Sequence, residues 1–321
     1  MSTPVTGVVH WLGQRLSLSL PDATWVDRVQ AFTGLTLEPA SAPLPVPLLA
    51  VTGPQEVVVD HVDRRHFRDA AQLEVWLMLT ISDVLLERGG HLALHAACLV
   101  RAGAAVLLTA PPWSGKSSWA LAAARAGWAV AGDDQVVIRP DQGHVIGLPR
   151  PFKRRLLSPH DEAVTSPLAL RGEWEGERLA LEPRPLGDAA AAYPVGLICH
   201  LERHAGPGVR IEPLAPAAAV PRLMRQIRGV TPTFLRSVAA AGRFLAACPN
   251  VRVSVGDGEI AAGLAAVKDW APDGRCAPAD GGGAGGGGRR RVGRRGRHEK
   301  RAGGEFASPA LPCTSGRPPE V

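Results

Sequence analysis

The chain has 321 residues, 45% of them apolar, and a formal net charge of +6. That length suits one large domain or a main domain with an appendage, with enough apolar residues for a sizeable core. No stretch approaches 18 uncharged apolar residues, which argues against a membrane span. The opening "MSTPVTGVVHWLGQRL" lacks the basic start and apolar block of a secretion signal. Five cysteines lie far apart with no Cys-x-x-Cys pair, which points to a reducing cytoplasm and offers no metal site. From Ala271 onward there are ten Arg/Lys against five Asp/Glu, so the first 270 residues are close to neutral. The basic balance belongs to the tail, and a nucleic-acid-binding body is not indicated.

In chain order, residues 1–60 mix strand-like runs ("RLSLSL", "EVVVD") with a proline-rich connector, a small β-rich lead-in. "FRDAAQLEVWLMLTISDVLLERGG" spaces Leu73, Trp76, Leu77, Thr80, Ile81, Val84 and Leu85 as a helix, with Gly89 as its stop. "HLALHAACLVRAGAAVLLTA" predicts two apolar strands around a tight Arg101-Ala102-Gly103 turn. A helix over 116–126 closed by Gly127 follows, then one strand through "WAVAGDDQVVI". "YPVGLICHLER" is a buried strand, 217–228 and 233–247 are helical, "NVRVSVG" is a strand and "GEIAAGLAAVKDW" a last helix. The interleaving predicts an α/β domain over 61–270. Residues 271–321, rich in Gly, Arg and Pro, predict a disordered tail that cannot bury enough surface to order itself.

The stretch "LLTAPPWSGKSSWALAAARAG" carries the chemistry. A strand, a loop ending Gly115-Lys116-Ser117 and a helix follow in the order that a phosphate-binding loop needs. In such a loop backbone N–H groups and the helix N-terminus converge on phosphates, a lysine reaches the β- and γ-oxygens, and a Ser/Thr hydroxyl binds magnesium. The candidate nucleotide-binding residues are Ala110, Pro111, Pro112, Trp113, Ser114, Gly115, Lys116, Ser117 and Ser118. Ala110 stands where the pattern has its first glycine, Pro111 and Pro112 lack N–H donors, and Trp113 would narrow the loop or stack on a ligand. Lysine is scarce, four against 32 arginines, which makes Lys116 at this position informative. Asp133 and Asp134, at the end of the following strand, offer a carboxylate to hold magnesium or take a proton, strand register deciding which of the two is the base, or they form a solvated turn pair. His95, one hairpin arm before the loop, is either a core histidine or part of the site.

The order "LHAACLVRAG-AAVLLTAPPWSGKSS … GWAVAGDD" resembles the catalytic domain of HPr kinase/phosphorylase and its HPr-kinase-like relatives. In that family a histidine precedes the loop by one hairpin and an acidic pair ends the next strand; the matching positions are His95, Ala110 to Ser117, and Asp133 with Asp134. The resemblance implies a P-loop fold of the phosphoenolpyruvate carboxykinase-like type with a mixed sheet. It also implies ATP and Mg²⁺ as cofactors and phosphorylation of a serine hydroxyl on a peptide or small carrier protein, with Asp133 as base. Lys116, Asp133, Asp134 and His95 would be catalytic, and Ser117 and Asp134 would meet the metal. Two departures argue against phosphorylase activity and against HPr as substrate: Ser118 follows the loop serine where the family has glutamate, and the glycine-arginine-asparagine signature is missing. "LPRPFKRRLL" suits the HPr-kinase-like relatives; its Arg150, Lys153, Arg154 and Arg155 either meet phosphates or an acidic substrate or form a solvated basic loop. A small-molecule kinase and a nucleotide-binding protein without transfer stay open, as does assembly with further copies of the chain.

Overall fold

The computed structural model describes residues 3–39, 49–60, 62–111, 114–148, 150–156, 165, 168–174, 177–183, 191–228, 234–256 and 258–270. These form a mixed α/β architecture of three sheets and six helices. The tail from Ala271 onward, for which disorder is expected, lies outside the described residues.

The first sheet runs β3 (Leu37–Pro39), β1 (Val5–Trp11), β2 (Gln14–Leu20), β4 (Leu49–Gly53), β5 (Glu56–Val59), β6 (Asp63–His66). Alternate residues of β2 point into the core, with Leu16, Leu18 and Leu20 fully buried. Helix α1 (Ala23–Thr33) is missing from the sequence-based expectation, which reads this region as strands alone. Asp22 caps it by accepting from the Thr24 and Trp25 amides, and Gly34 closes it in the left-handed region. With Val29, Phe32 and Thr33 as its only buried residues, its apolar pattern is too short to stand out.

Helix α2 (Ala70–Gly89) packs with this sheet in one core. Of the expected stripe Leu73, Leu77, Ile81 and Leu85 are buried while Trp76, Thr80 and Val84 are half-buried; Val75, Leu79 and Leu86 are buried too, so apolar side chains face inward on most sides. Its left-handed stop is Gly90 rather than Gly89. A three-stranded sheet, β13 (Phe152–Arg155), β15 (Glu177–Glu182), β14 (Leu170–Trp174), is tied to it. Gly172 of β14 lies so close that a Cβ there would meet Val75 at 2.9 Å.

The ten-stranded sheet holds the candidate site. Its main path is β10 (Ala129–Gly132), β8 (Ala96–Arg101), β9 (Ala104–Thr109), β16 (Ala192–Arg203), β12 (His144–Gly147), β11 (Val136–Arg139), β7 (Ala93–Leu94), β18 (Ile227–Arg228). Strand β19 (Asn250–Val255) pairs with β16, and β17 (Val209–Pro213) pairs with β19. The parallel pairs are β9 with β16 and β16 with β19. The β8–β9 turn occurs at Ala102-Gly103, both at positive φ, as two-residue hairpins favour. Helix α3 (Lys116–Arg125) follows β9. Then come α4 (Pro216–Met224), α5 (Phe234–Ala247) and α6 (Ile260–Trp270). Gly263 of α6 leaves room for Trp119 of α3, whose ring would meet a Cβ at 2.4 Å.

Two expectations need correction. "WAVAGDDQVVI" is two strands: β10 pairs with β8, whereas β11 pairs with β12 and β7, and the chain bends between them at Asp133-Asp134. The segment 217–228 is helical only to Met224, because Ile227 and Arg228 are drawn out to pair with β7. At the first break, Gly132 and Gly147 let two strands nearly touch. A Cβ on Gly147 would lie 1.9 Å from the Ala131 carbonyl oxygen. Gly147→Ala should therefore lower stability by about 1–3 kcal/mol or more, read by urea unfolding, and should shift the Asp133-Asp134 bend with it.

Candidate functional site

Strand β9 is buried along most of its length and delivers the loop to the end of the sheet. Its last residue, Thr109, is braced from the neighbouring strands. Asn250 Nδ2 donates to the carbonyls of Leu245 and Cys248, so Asn250 Oδ1 faces His200 Nε2 at 2.9 Å and that nitrogen carries the proton. His200 Nδ1 then faces Thr109 Oγ1 at 3.2 Å. Burial lowers the His200 pKa, which keeps the imidazole neutral and this arrangement fixed.

Beyond Thr109, Ala110 is buried and Pro111 is exposed. Pro112 and Trp113 lie outside the described residues. Ser114 Oγ donates to the Pro111 carbonyl at 2.8 Å, which tightens the turn. Gly115 sits at φ 86° and opens α3 with no side-chain cap. Only glycine adopts that conformation freely, and the orphan amides of an uncapped first turn form an anion-attracting end. Lys116 is 8% exposed and folds back over the loop, its Nζ donating to the Ala110 carbonyl at 3.0 Å. Burial depresses its pKa, and the charges of Asp134 and Asp133 oppose that shift. Ser117 is half-buried and Ser118 exposed. On another side of the loop, Ser114, Gly115, Trp119 and Arg203 line a cavity with Val255 and Ile260.

The two adjacent aspartates have opposite surroundings. Asp133 is 3% exposed. Burial, and then the charge of Asp134, raise its pKa to about 7; the Ser117 hydroxyl and the Lys153 amide pull it back in part. Oδ2 accepts from the Lys153 amide at 3.4 Å, while Oδ1 is buried without a hydrogen-bond partner. Asp134 has both oxygens engaged: His95 Nε2 lies 3.1 Å from Oδ1, and Arg150 Nη1 donates to Oδ2 at 2.7 Å. Burial alone would raise its pKa, but the His95 hydrogen bond and the Arg150 charge outweigh it and hold the carboxyl below the ordinary range. Arg150, itself 8% exposed, extends Nη2 to Asp83 Oδ2 of α2 at 2.9 Å.

The fold thus gathers Lys116, Ser117, Asp133, Asp134 and His95 round one point. Of the basic segment, Arg150 is consumed by two carboxylates and Arg155 pairs with Glu177, so neither is a solvated loop residue. Asp83 was not among the expected site residues; its one sequence signal is a carboxylate in the otherwise uncharged "LTISDVLL". Gln135 and Gln226 were not expected either, and nothing in their local sequence marks them.

No family model and no curated protein matches the chain. Among solved structures it is similar to the HPr(Ser) kinase/phosphatase from Coxiella burnetii, with 13% identity and a TM-score of 0.27. The likeness covers 56% of this chain and 95% of that one. At that level neither fold nor activity transfers from one to the other. Among the described residues no helix is long and apolar enough to cross a membrane.

The aspartates should titrate with opposite consequences for stability. The pKa of Asp133 is raised from 3.8 to about 7, so between those values the folded state holds a proton that the unfolded state has lost. Stability falls as pH rises through that window and levels off above it. At about 1.4 kcal/mol per pKa unit the effect is on the order of a few kcal/mol. Asp133→Asn should raise the melting temperature at pH 8 and leave it unchanged below pH ~4. Asp134, with a lowered pKa, contributes stability above the ordinary carboxylate range that is lost on acidification. Asp134→Asn should cost roughly 1–3 kcal/mol at neutral pH. Melting curves of both variants from pH ~2 to pH ~8 check the pair of signs.

Proposed function

We propose that the protein is an ATP-dependent kinase of the P-loop, HPr-kinase-like type, transferring the γ-phosphate to a hydroxyl, that of a serine in a peptide or small protein, without phosphorylase activity. The observation that carries this reading is the buried, unpaired Oδ1 of Asp133 beside Ser117 at the uncapped start of α3. Among the described residues no three His, Cys, Asp or Glu side chains form a metal cluster. Mg²⁺ takes few protein oxygens and relies on nucleotide phosphates and water. Ser117 would hold it, and Asp134 would join only by releasing His95 or Arg150. When bound, the ion neutralises charge on the phosphate oxygens.

The chain's own residues have the following work. The first amides of α3 cradle phosphate oxygens, and Lys116 exchanges the Ala110 carbonyl for the β- and γ-oxygens. The acceptor hydroxyl oxygen attacks the γ-phosphorus as the bond to the β,γ-bridging oxygen breaks, and Asp133 takes the hydroxyl proton. A carboxyl with a pKa of about 7 suits that task at neutral pH, because it is ionised in part and still basic enough to accept the proton. Asp134 remains ionised and fixes His95 against the site.

A second reading, nucleotide binding without transfer, is favoured by the lysine turned back on Ala110. Two variants separate the readings. Lys116→Ala should weaken ATP binding by at least tenfold in calorimetry, equivalent to about 1.4 kcal/mol, with the melting temperature retained. Asp133→Asn should leave ATP affinity nearly unchanged and slow phosphate transfer by about 10²–10⁴. Unchanged transfer in Asp133→Asn would remove the kinase reading, and unchanged ATP affinity in Lys116→Ala would remove both.

A further inference from the structure

Among the described residues, five buried side-chain polar atoms have no hydrogen-bond partner: His91 Nε2, Asp133 Oδ1, Gln135 Oε1, Arg150 Nε and Gln226 Oε1. Four of these belong to residues around the His95–Asp134 pair. Asp133 and Gln135 flank Asp134 in sequence, Arg150 is bonded to it, and the Gln226 carbonyl accepts from the His95 amide at 2.8 Å. The sheet explains the grouping. Leu94 of β7 pairs with Val136 of β11 on one side and Ile227 of β18 on the other. One residue further along, the same antiparallel register aligns Gln135, His95 and Gln226 in a row beside the aspartates.

Folded proteins rarely leave buried acceptors unmatched, because each costs about 1–3 kcal/mol. Here two glutamine carbonyls, one on each side of a histidine, are left so. Both residues are only half-buried, and the terminal torsion of a glutamine is soft. A turn of either amide can therefore bring its carbonyl towards an incoming donor.

We propose that Gln135, His95 and Gln226 form an acceptor subsite that receives a hydroxyl-bearing molecule through its N–H or O–H donors. The two glutamine carbonyls accept those hydrogen bonds, and the reactive hydroxyl is set beside Asp133. A seryl peptide offers two flanking amide N–H donors, which matches two acceptors set on either side of His95; a polyol offers the same chemistry through hydroxyls. The role in catalysis rests on the kinase reading above, whereas the binding does not.

The test uses the full chain, labelled with ¹⁵N, with the side-chain amide signals of the two glutamines assigned from Gln135→Leu and Gln226→Leu. If Gln226→Leu does not fold, Gln226→Asn supplies that assignment. The probes are N-acetylserine N-methylamide and, separately, glycerol. The expected result is a saturable shift of both amide signals with the seryl compound, at a dissociation constant on the order of 1 mM. A shift with glycerol alone supports the subsite and identifies its occupant as a polyol. No shift of either amide with either probe overturns the proposal. The leucine variants give an independent readout: an unpaired carbonyl has no bond to lose, so their melting temperatures should be equal to or above that of wild type. A clear fall in both would mean that the amides are bonded within the protein, and would also overturn it. Shifts without phosphate transfer would leave the subsite standing and remove the kinase reading; transfer without shifts would do the reverse.

Discussion

The Arg150 guanidinium holds the site together. It lies buried between Asp83 of α2 and Asp134 of the β10–β11 bend, and it stands just ahead of β13. One side chain thereby links the helix that fills the first core, the edge of the small sheet and the acidic bend of the large sheet. Such a bridge adds little stability relative to an apolar replacement, since three charged groups lose water to form it. Its value lies in discrimination: with Arg150 in place, any arrangement that moves Asp134 away leaves a buried cation with one partner fewer. The position of the bend, and with it that of Asp133, follows from this constraint.

The same bridge accounts for the division between two adjacent carboxylates. Asp134 is surrounded by donors and stays ionised. Asp133 is buried next to that fixed negative charge, with little to offset it. Two like groups in one site are driven apart in pKa by their environments, a pattern that lets one carboxyl exchange a proton while its neighbour cannot. The opposing environments arise because the chain changes sheet partners between β10 and β11, which sends consecutive side chains into different surroundings.

On the far side of the loop the control is steric. Gly115 permits the left-handed turn into α3, Gly263 admits the Trp119 ring, and Gly132 with Gly147 let two strands meet beside the aspartates. The Asn250–His200–Thr109 chain fixes the end of β9 by hydrogen bonds that need one tautomer of a neutral ring. Together these hold the α3 N-terminus and the acidic bend close enough for Lys116 to feel both carboxylates.

By itself the sequence determined the local elements whose signals are dense and short-range. The apolar alternation of "RLSLSL", the long helix from Ala70, the Ala102-Gly103 hairpin and the strand-loop-helix order around Gly115 are all written in neighbouring residues. Spacing alone left His95 as a core histidine or part of the site and the aspartates as functional or a solvated turn pair; only the order of the motifs taken together pointed to their grouping with Lys116 and Ser117. Other features depended on partners far along the chain. The break of "WAVAGDDQVVI" into two strands is imposed by β8 on one side and β7 with β12 on the other. Helix α4 stops at Met224 because β7 takes up Ile227, and Asp83 joins the site only through an arginine 67 residues later. Gln135 and Gln226 meet His95 by strand register alone. Hydrophobic period and turn chemistry act over a few residues, so they fix elements; burial, charge pairing and register act between distant segments, so only the tertiary structure decided which side chains share a site.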